Sequence, residues 1–216
     1  MATSSGNNTN TKGSSSHLEA TSRGALLAAA QSFCDAFAQK ATPPAELVSK
    51  FFASSPDTTS TTSTTTTKNR AAAEILVLEH GLVNLPANSR AKQLLPFLGR
   101  PFRGHDGVRR YFEAVGRVLD YRDMRFHVRP GDEVEEGCGG LSPFVVDVEG
   151  RQVCVKGRAR FQSKETGQEW DESFIYKLGY VFEGGGEEEG RRGWKVLRLE
   201  IWADPAAAYL AARGEL

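Results

Sequence analysis

The apolar residues of this chain keep two different periods, and the change between them limits the folds open to it. Before about residue 120 they recur at three- and four-residue spacing; from Met124 onward they alternate. A period near 3.6 marks one face of a helix, and a period of two marks one face of a strand. Leu26, Ala30, Phe33 and Phe37 therefore predict an amphipathic helix over 25–39. Pro43 and Pro44 end it and open a second helix over 45–52, because proline suits a first helical turn. Residues 74–78 (EILVL) read as a strand, and 82–98 as irregular chain with a short helix near Ala91. Over 104–119, Val108, Tyr111, Phe112, Val115 and Leu119 form one stripe behind Asp106, which predicts the clearest helix with Asp106 as its cap.

Beyond Met124 the strands follow one another with short turns. Met124, Phe126 and Val128 alternate with Arg125, His127 and Arg129. Strands are then expected over 144–149, 153–161, 169–182 and 194–202, joined by turns that favour antiparallel hairpins. Helices first and a long meander after them is an α+β order, with the helices on one sheet face. Alternation groups Trp170, Glu172, Phe174, Tyr176, Leu178, Tyr180 and Phe182 on one face of the strand over 169–182. It groups Trp194, Val196, Arg198, Glu200 and Trp202 on one face of the last. These aromatic-rich faces are expected to point inward, since ligand pockets are mostly apolar with a few polar groups.

Composition sets the outer bounds. Residues 1–24 are dominated by Ser, Thr, Asn and Gly and predict a disordered tail. One domain is expected over 25–212, with a second low-complexity insertion at 56–70. The 27 basic and 27 acidic residues balance, which gives no basis for a nucleic-acid or anionic-membrane partner. Cys34, Cys138 and Cys154 lack metal or redox spacing and point to reduced thiols. A cytoplasmic site is expected; reduced thiols fit the nucleus as well, and Lys12 and Arg23 in a Ser-rich, acid-poor start leave mitochondria open. No metal cluster, phosphate loop or nucleophile elbow is legible, and no cofactor is expected.

Three stretches carry a resemblance. The first is a helix pair leading to a strand that ends Leu78-Glu79-His80-Gly81. The second is the G-x-x-F-x-G-H-D-G-V-x-x-Y-F run from Gly99 to Phe112. The third is W-K-V-L-R-L-E-I-W-A-D-P-x-x-x-Y-L from Trp194 to Leu210. Together they resemble the SnoaL-like branch of the nuclear transport factor 2-like superfamily. The resemblance implies three N-terminal helices packed on a strongly curved mixed or antiparallel sheet, forming a conical pocket, with the outer sheet face often a homodimer contact. Its members include ketosteroid isomerases, polyketide cyclases, scytalone dehydratase and pure binding domains, so the fold does not fix the function.

The same resemblance places His80 where the ketosteroid isomerases carry a catalytic aspartate, and Trp202 at a pocket aromatic. It puts Phe33 and Phe37 in place of an oxyanion-stabilising tyrosine, and Leu178 in place of a protonated aspartate. His80 suits a proton shuttle by its ordinary pKa; the other reading is a bond to a carbonyl at the strand end. Glu172 and Tyr176 are the candidates to polarise a carbonyl, with a salt bridge from Glu172 to Arg198 or Arg158 as the competing reading. Phe33, Phe37, Tyr111, Trp170, Phe174, Leu178, Arg198, Glu200 and Trp202 are expected to line the ligand site. Arg198 and Glu200 could equally form an ion pair at a dimer surface. Two functions stay open at this point. One is cofactor-free acid–base chemistry on a small, largely apolar carbonyl compound, of the cyclase, isomerase or dehydratase kind. The other is a non-catalytic ligand-binding or homodimerisation module.

Overall fold

Both periods become structure. The computed structural model describes residues 12–54, 74–126, 142–183 and 193–216, with side chains from residue 22 onward. In chain order these form α1 (Lys12–Ala38), α2 (Pro44–Phe51), β1 (Leu76–Glu79), α3 (Arg90–Leu94), β2 (Phe102–Arg103) and α4 (Gly104–Val118). There follow β3 (Leu119–Arg125), β4 (Phe144–Asp147), β5 (Gln152–Ser163), β6 (Glu169–Glu183), β7 (Gly193–Trp202) and α5 (Pro205–Arg213). α1 begins inside the stretch that composition assigned to the tail. Residues 1–11, the whole Thr-rich insertion at 56–70, His127 and Cys138 lie outside the described residues.

The seven strands make one curved, mixed sheet in the order β2-β1-β7-β6-β5-β3, with β4 also on β5. β1 runs parallel to β7, and every other pair is antiparallel. The long strand β5 serves two neighbours: β4 pairs with Gln152–Val155, and β3 with the stretch from Arg158 to Ser163. At the middle of β5, Gly157 faces Phe174 across the ladder. A Cβ there would stand 2.5 Å from the Phe174 ring and 2.9 Å from that of Phe126. Glycine at this point is what lets two rings close over the strand.

The α1 stripe of Leu26, Ala30, Phe33 and Cys34 is fully buried against the inner sheet face. Val108, Tyr111 and Phe112 of α4 and Leu47 and Val48 of α2 complete the same core. Each fully buried large apolar side chain stabilises the fold by about 1.5–3 kcal/mol. Phe33 makes edge contacts with Phe51 and Phe52 and stacks on Phe37, which ties α1 to α2.

Two helix ends differ from the sequence reading. Asp106 does not cap α4: the cap position is Arg103, Gly104 takes φ +66°, and Asp106 sits in the first turn paired with Arg109 at 3.4 Å. A carboxylate there still favours the positive end of the helix dipole. Asp204-Pro205 stops β7 and also starts α5. The Asp204 side chain accepts from Ala206 N at 2.9 Å, Pro205 opens the first turn, and Gly214 closes the helix at φ 75°.

The larger difference lies in β7. Unbroken alternation through β7 would keep one parity along it, but the register shifts between Gly179 and Tyr180. Gly179 faces Arg198 while Tyr180 faces Val196, so Leu197 is an extra residue on β7. A bulge of this kind reverses which face every later side chain takes. Val196, Leu199 and Ile201 are buried on the inner face, whereas Arg198, Glu200 and Trp202 emerge on the outer one. β6 holds the expected parity: Trp170, Phe174, Tyr176, Leu178 and Tyr180 are all buried inward.

Candidate functional site

The inner face carries one row that matters for chemistry. β5, β6, β7 and β1 lie side by side, and the ladders align Val155 with Tyr176, Tyr176 with Ile201, and Ile201 with Glu79. Residues in register share a face. Glu79 therefore ends β1 pointing into the aromatic core. Tyr176 stands across Ile201 from it, two strand spacings or roughly 9–10 Å away at the backbone.

Glu79 is almost completely buried, at 9% exposure. The Tyr111 hydroxyl, from α4, donates to its Oε2 at 2.6 Å. Burial is the main cause that lifts the Glu79 carboxyl to about 7; the Tyr111 bond pulls it down and the charge of Glu172 pushes it up. A carboxyl that titrates near neutrality can act as acid or base without a cofactor. The Tyr111 and Tyr176 phenols are buried and held well above the usual range, so both stay protonated and can donate.

Glu172 joins the same face from β6, in register with Ala159. Neither of the salt bridges weighed for it forms. Its Oε2 accepts from Trp170 Nε1 at 2.7 Å and its Oε1 from the backbone N–H of Asp204. Burial raises its pKa, and these two donors draw it back. Trp170 in turn stacks on Phe161, 5.7 Å between centroids. Glu172 is thus fixed at the junction of β6, β7 and the α5 cap.

Of the residues selected from the sequence, Tyr111, Trp170, Glu172, Phe174, Tyr176 and Leu178 meet on the inner face with Phe33 and Phe37 of α1. His80 does not join them. One residue after Glu79, it has the opposite parity and lies with Trp202 and Glu200 on the outer face. Its ring stacks on Trp202 at 4.2 Å and 9°, its Nε2 is 3.4 Å from Glu200, and its backbone N–H donates to Ile201 O at 2.8 Å. Arg198 donates to Glu200 at 3.0 Å, and Lys177 is 3.7 Å away. Burial pushes the Glu200 carboxyl up, but Arg198, Lys177 and His80 outweigh it and hold it below the usual range. Lys177, Gly179, Arg198 and Glu200 line an outer depression of about 420 Å³. His105 is structural in its contact, with Nε2 2.8 Å from Ala53 O.

Sequence reading leaves Glu79 near the mouth of the expected pocket and gives it no role. In the run EILVLEH the four residues between Glu74 and Glu79 are all apolar, so alternation within β1 has no polar face to set parity. The missing signal is tertiary: only pairing with β7 decides which of Glu79 and His80 turns inward. Among the described residues no group of three metal-ligating side chains occurs, and no helix is long and apolar enough to cross a membrane.

No protein-family model matches the chain, and no curated protein matches it either. Solved structures do resemble it. They include ketosteroid isomerase-like and nuclear transport factor 2-like proteins. A ketosteroid isomerase-like protein from Erwinia carotovora atroseptica is 10% identical, with 84% of this chain and 95% of that chain covered at a TM-score of 0.47. A nuclear transport factor 2-like protein from Burkholderia xenovorans is 13% identical, with 88% and 97% covered and a TM-score of 0.47. The BvnE pinacolase from Penicillium brevicompactum is also 13% identical, with 90% and 94% covered and a TM-score of 0.47. These likenesses concern the path of the chain alone.

Proposed function

We propose that this protein catalyses cofactor-free proton transfer on a small, largely apolar carbonyl compound, with Glu79 as the working acid–base group. The single observation behind this reading is a buried carboxyl lifted to about 7 and bonded to Tyr111 inside an aromatic lining. In the forward step the Glu79 carboxylate takes a proton from the carbon next to the carbonyl. The C–H electron pair moves into the C–C bond, and the carbonyl electrons move onto oxygen. With a β,γ-unsaturated substrate the enolate extends over the C=C bond; the Tyr176 hydroxyl donates to its oxygen, and return of the proton from Glu79 to the γ-carbon re-forms the carbonyl with the C=C bond now conjugated to it, which completes an isomerisation. Hydrogen bonds aimed at developing charge are the largest catalytic contribution in such sites. Glu172 supports the reading in a different role from the one expected of it. Its charge raises the affinity of Glu79 for a proton, while Trp170 and Asp204 keep it in place.

The test is deuterium wash-in to 2-tetralone followed by proton NMR in heavy water. The proposal expects exchange of the protons beside the carbonyl above the buffer rate. An exchange rate equal to buffer at saturating protein sinks it.

A second reading draws on the outer sheet face. Trp202, Ile175 and Val145 are exposed there at 40%, 46% and 67%, around the charged set of Glu200, Arg198 and Lys177. Apolar groups rimmed by charge suit protein association, and the reading is a homodimer through this face. Ile175→Asp is then expected to convert a dimer to a monomer in light scattering. A wild-type monomer at all accessible concentrations removes this reading.

A further inference from the structure

A second pocket opens between the end of α1, the start of α2, the end of α4 and β3, with Phe37, which touches Tyr176, as one of its walls. It holds about 190 Å³. Phe37, Leu47, Phe112, Val115 and Leu119 give it apolar walls. Three charged side chains stand at its rim: Lys40 from the turn just past α1, Asp120 from β3, and Lys164 from the turn after β5.

The rim is built rather than incidental. Lys40 pairs with Asp120, and its ammonium lies 4.2 Å from the centre of the Tyr121 ring. The Asp120 carboxylate also accepts from Tyr121 N at 2.8 Å, and the Tyr121 hydroxyl donates to Phe37 O at 2.7 Å. Lys164 donates to the Gly116 carbonyl, at the exposed end of α4. A single lysine is enough to neutralise Asp120. The second ammonium leaves the rim positive over an apolar hole, and a carbonyl oxygen is a weaker partner for it than a carboxylate. The Asp120 carboxyl is accordingly held low, first by its bond to Lys40 and also by the charge of Lys164.

We propose that this pocket binds a short-chain monocarboxylate, with the alkyl tail against Phe37, Leu47, Phe112 and Val115 and the carboxylate on Lys164 and Lys40. The size fits a short tail. The pocket is smaller than the ~300–1,000 Å³ typical of drug-sized ligands. At ~30 Å³ for each displaced water it holds about six, close to the volume of a five-carbon tail. This goes beyond the proposed proton transfer and stands or falls without it, because the pocket shares neither Glu79 nor Tyr176.

The probe is sodium hexanoate, titrated into the full chain and followed by proton–nitrogen NMR. Saturable shifts are expected at Phe37, Leu47, Val115 and Lys164. Two variants separate the parts of the proposal. Lys164→Met is expected to weaken hexanoate about tenfold, the usual loss for one charge-assisted hydrogen bond. Gly116→Leu fills the pocket: a Cβ at Gly116 meets nothing within 4 Å, and leucine is the better helix former, so the variant folds. It is expected to abolish the shifts, with circular dichroism confirming the fold. Hexanoate that perturbs none of these residues, or binds either variant as tightly as wild type, overturns the assignment.

Discussion

Glu79→Gln is expected to slow exchange of the 2-tetralone protons by about 10²–10⁴-fold, the usual contribution of a positioned general base. Glutamine keeps the volume and can still accept from Tyr111, so the loss reports the missing proton acceptor rather than a collapsed interior. Tyr111→Phe removes the 2.6 Å bond that favours the charged form of Glu79. Its profile is expected to move to higher pH, because the bond lowers the Glu79 pKa. His80→Ala, by contrast, strips only the Trp202 stack and the Glu200 contact on the outer face, and leaves the exchange rate where it was. A slow His80→Ala protein beside a full-rate Glu79→Gln protein reverses the assignment.

Gly99→Ala is expected to cost about 2–5 kcal/mol of stability, the sum of overpacking and left-handed backbone strain. Gly99 takes φ +67°, and a Cβ there would stand 1.9 Å from the Gly81 carbonyl oxygen. The neighbour is backbone and cannot rotate away. The same residue positions the site, since Gly99 N donates to Glu79 O at 2.8 Å and Leu98 bridges to Glu79. Gly104→Ala supplies the comparison. Its φ of +66° is nearly the same, but its Cβ would meet nothing within 4 Å, so only the strain of about 1–2 kcal/mol remains. Urea unfolding midpoints of the two variants read the difference, and equal losses contradict the close approach.

Much of this architecture was legible in the residues because the two periods are local. Phe33 and Phe37 on α1, and Tyr111 on α4, follow from helical spacing. Trp170, Glu172, Phe174 and Tyr176 share a face because β6 is long and regular up to Gly179. What failed was parity where the chain is short or irregular. β1 has four residues and no polar face, so nothing in it separates Glu79 from His80. β7 carries a bulge at Leu197 that moves Arg198, Glu200 and Trp202 to the outer surface. Both facts depend on the neighbouring strand, which no window of sequence contains. α5 was hidden for another reason: its Pro-Ala-Ala-Ala start has no apolar stripe wide enough to announce a helix.

The state of Glu79 also sets how stability depends on pH. Its carboxyl titrates at about 7 in the folded protein against an ordinary 4.5. Below 4.5 both states hold the proton, and the contribution is fully present. As pH rises toward 7 the unfolded chain ionises freely while the folded one resists, so stability falls, by on the order of 3 kcal/mol in all. Asp120 and Asp171 act in the opposite sense, but their window lies below their ordinary 3.8.

Carbon-13 NMR of the Glu79 side-chain carboxyl, followed from pH 4 to pH 9, reads that state without any substrate. A midpoint near 7 that drops when Glu172 is replaced by glutamine is the predicted result. A midpoint at the ordinary 4.5, unmoved by Glu172→Gln, would mean that this carboxylate meets water and that the inner face has no acid–base group of its own.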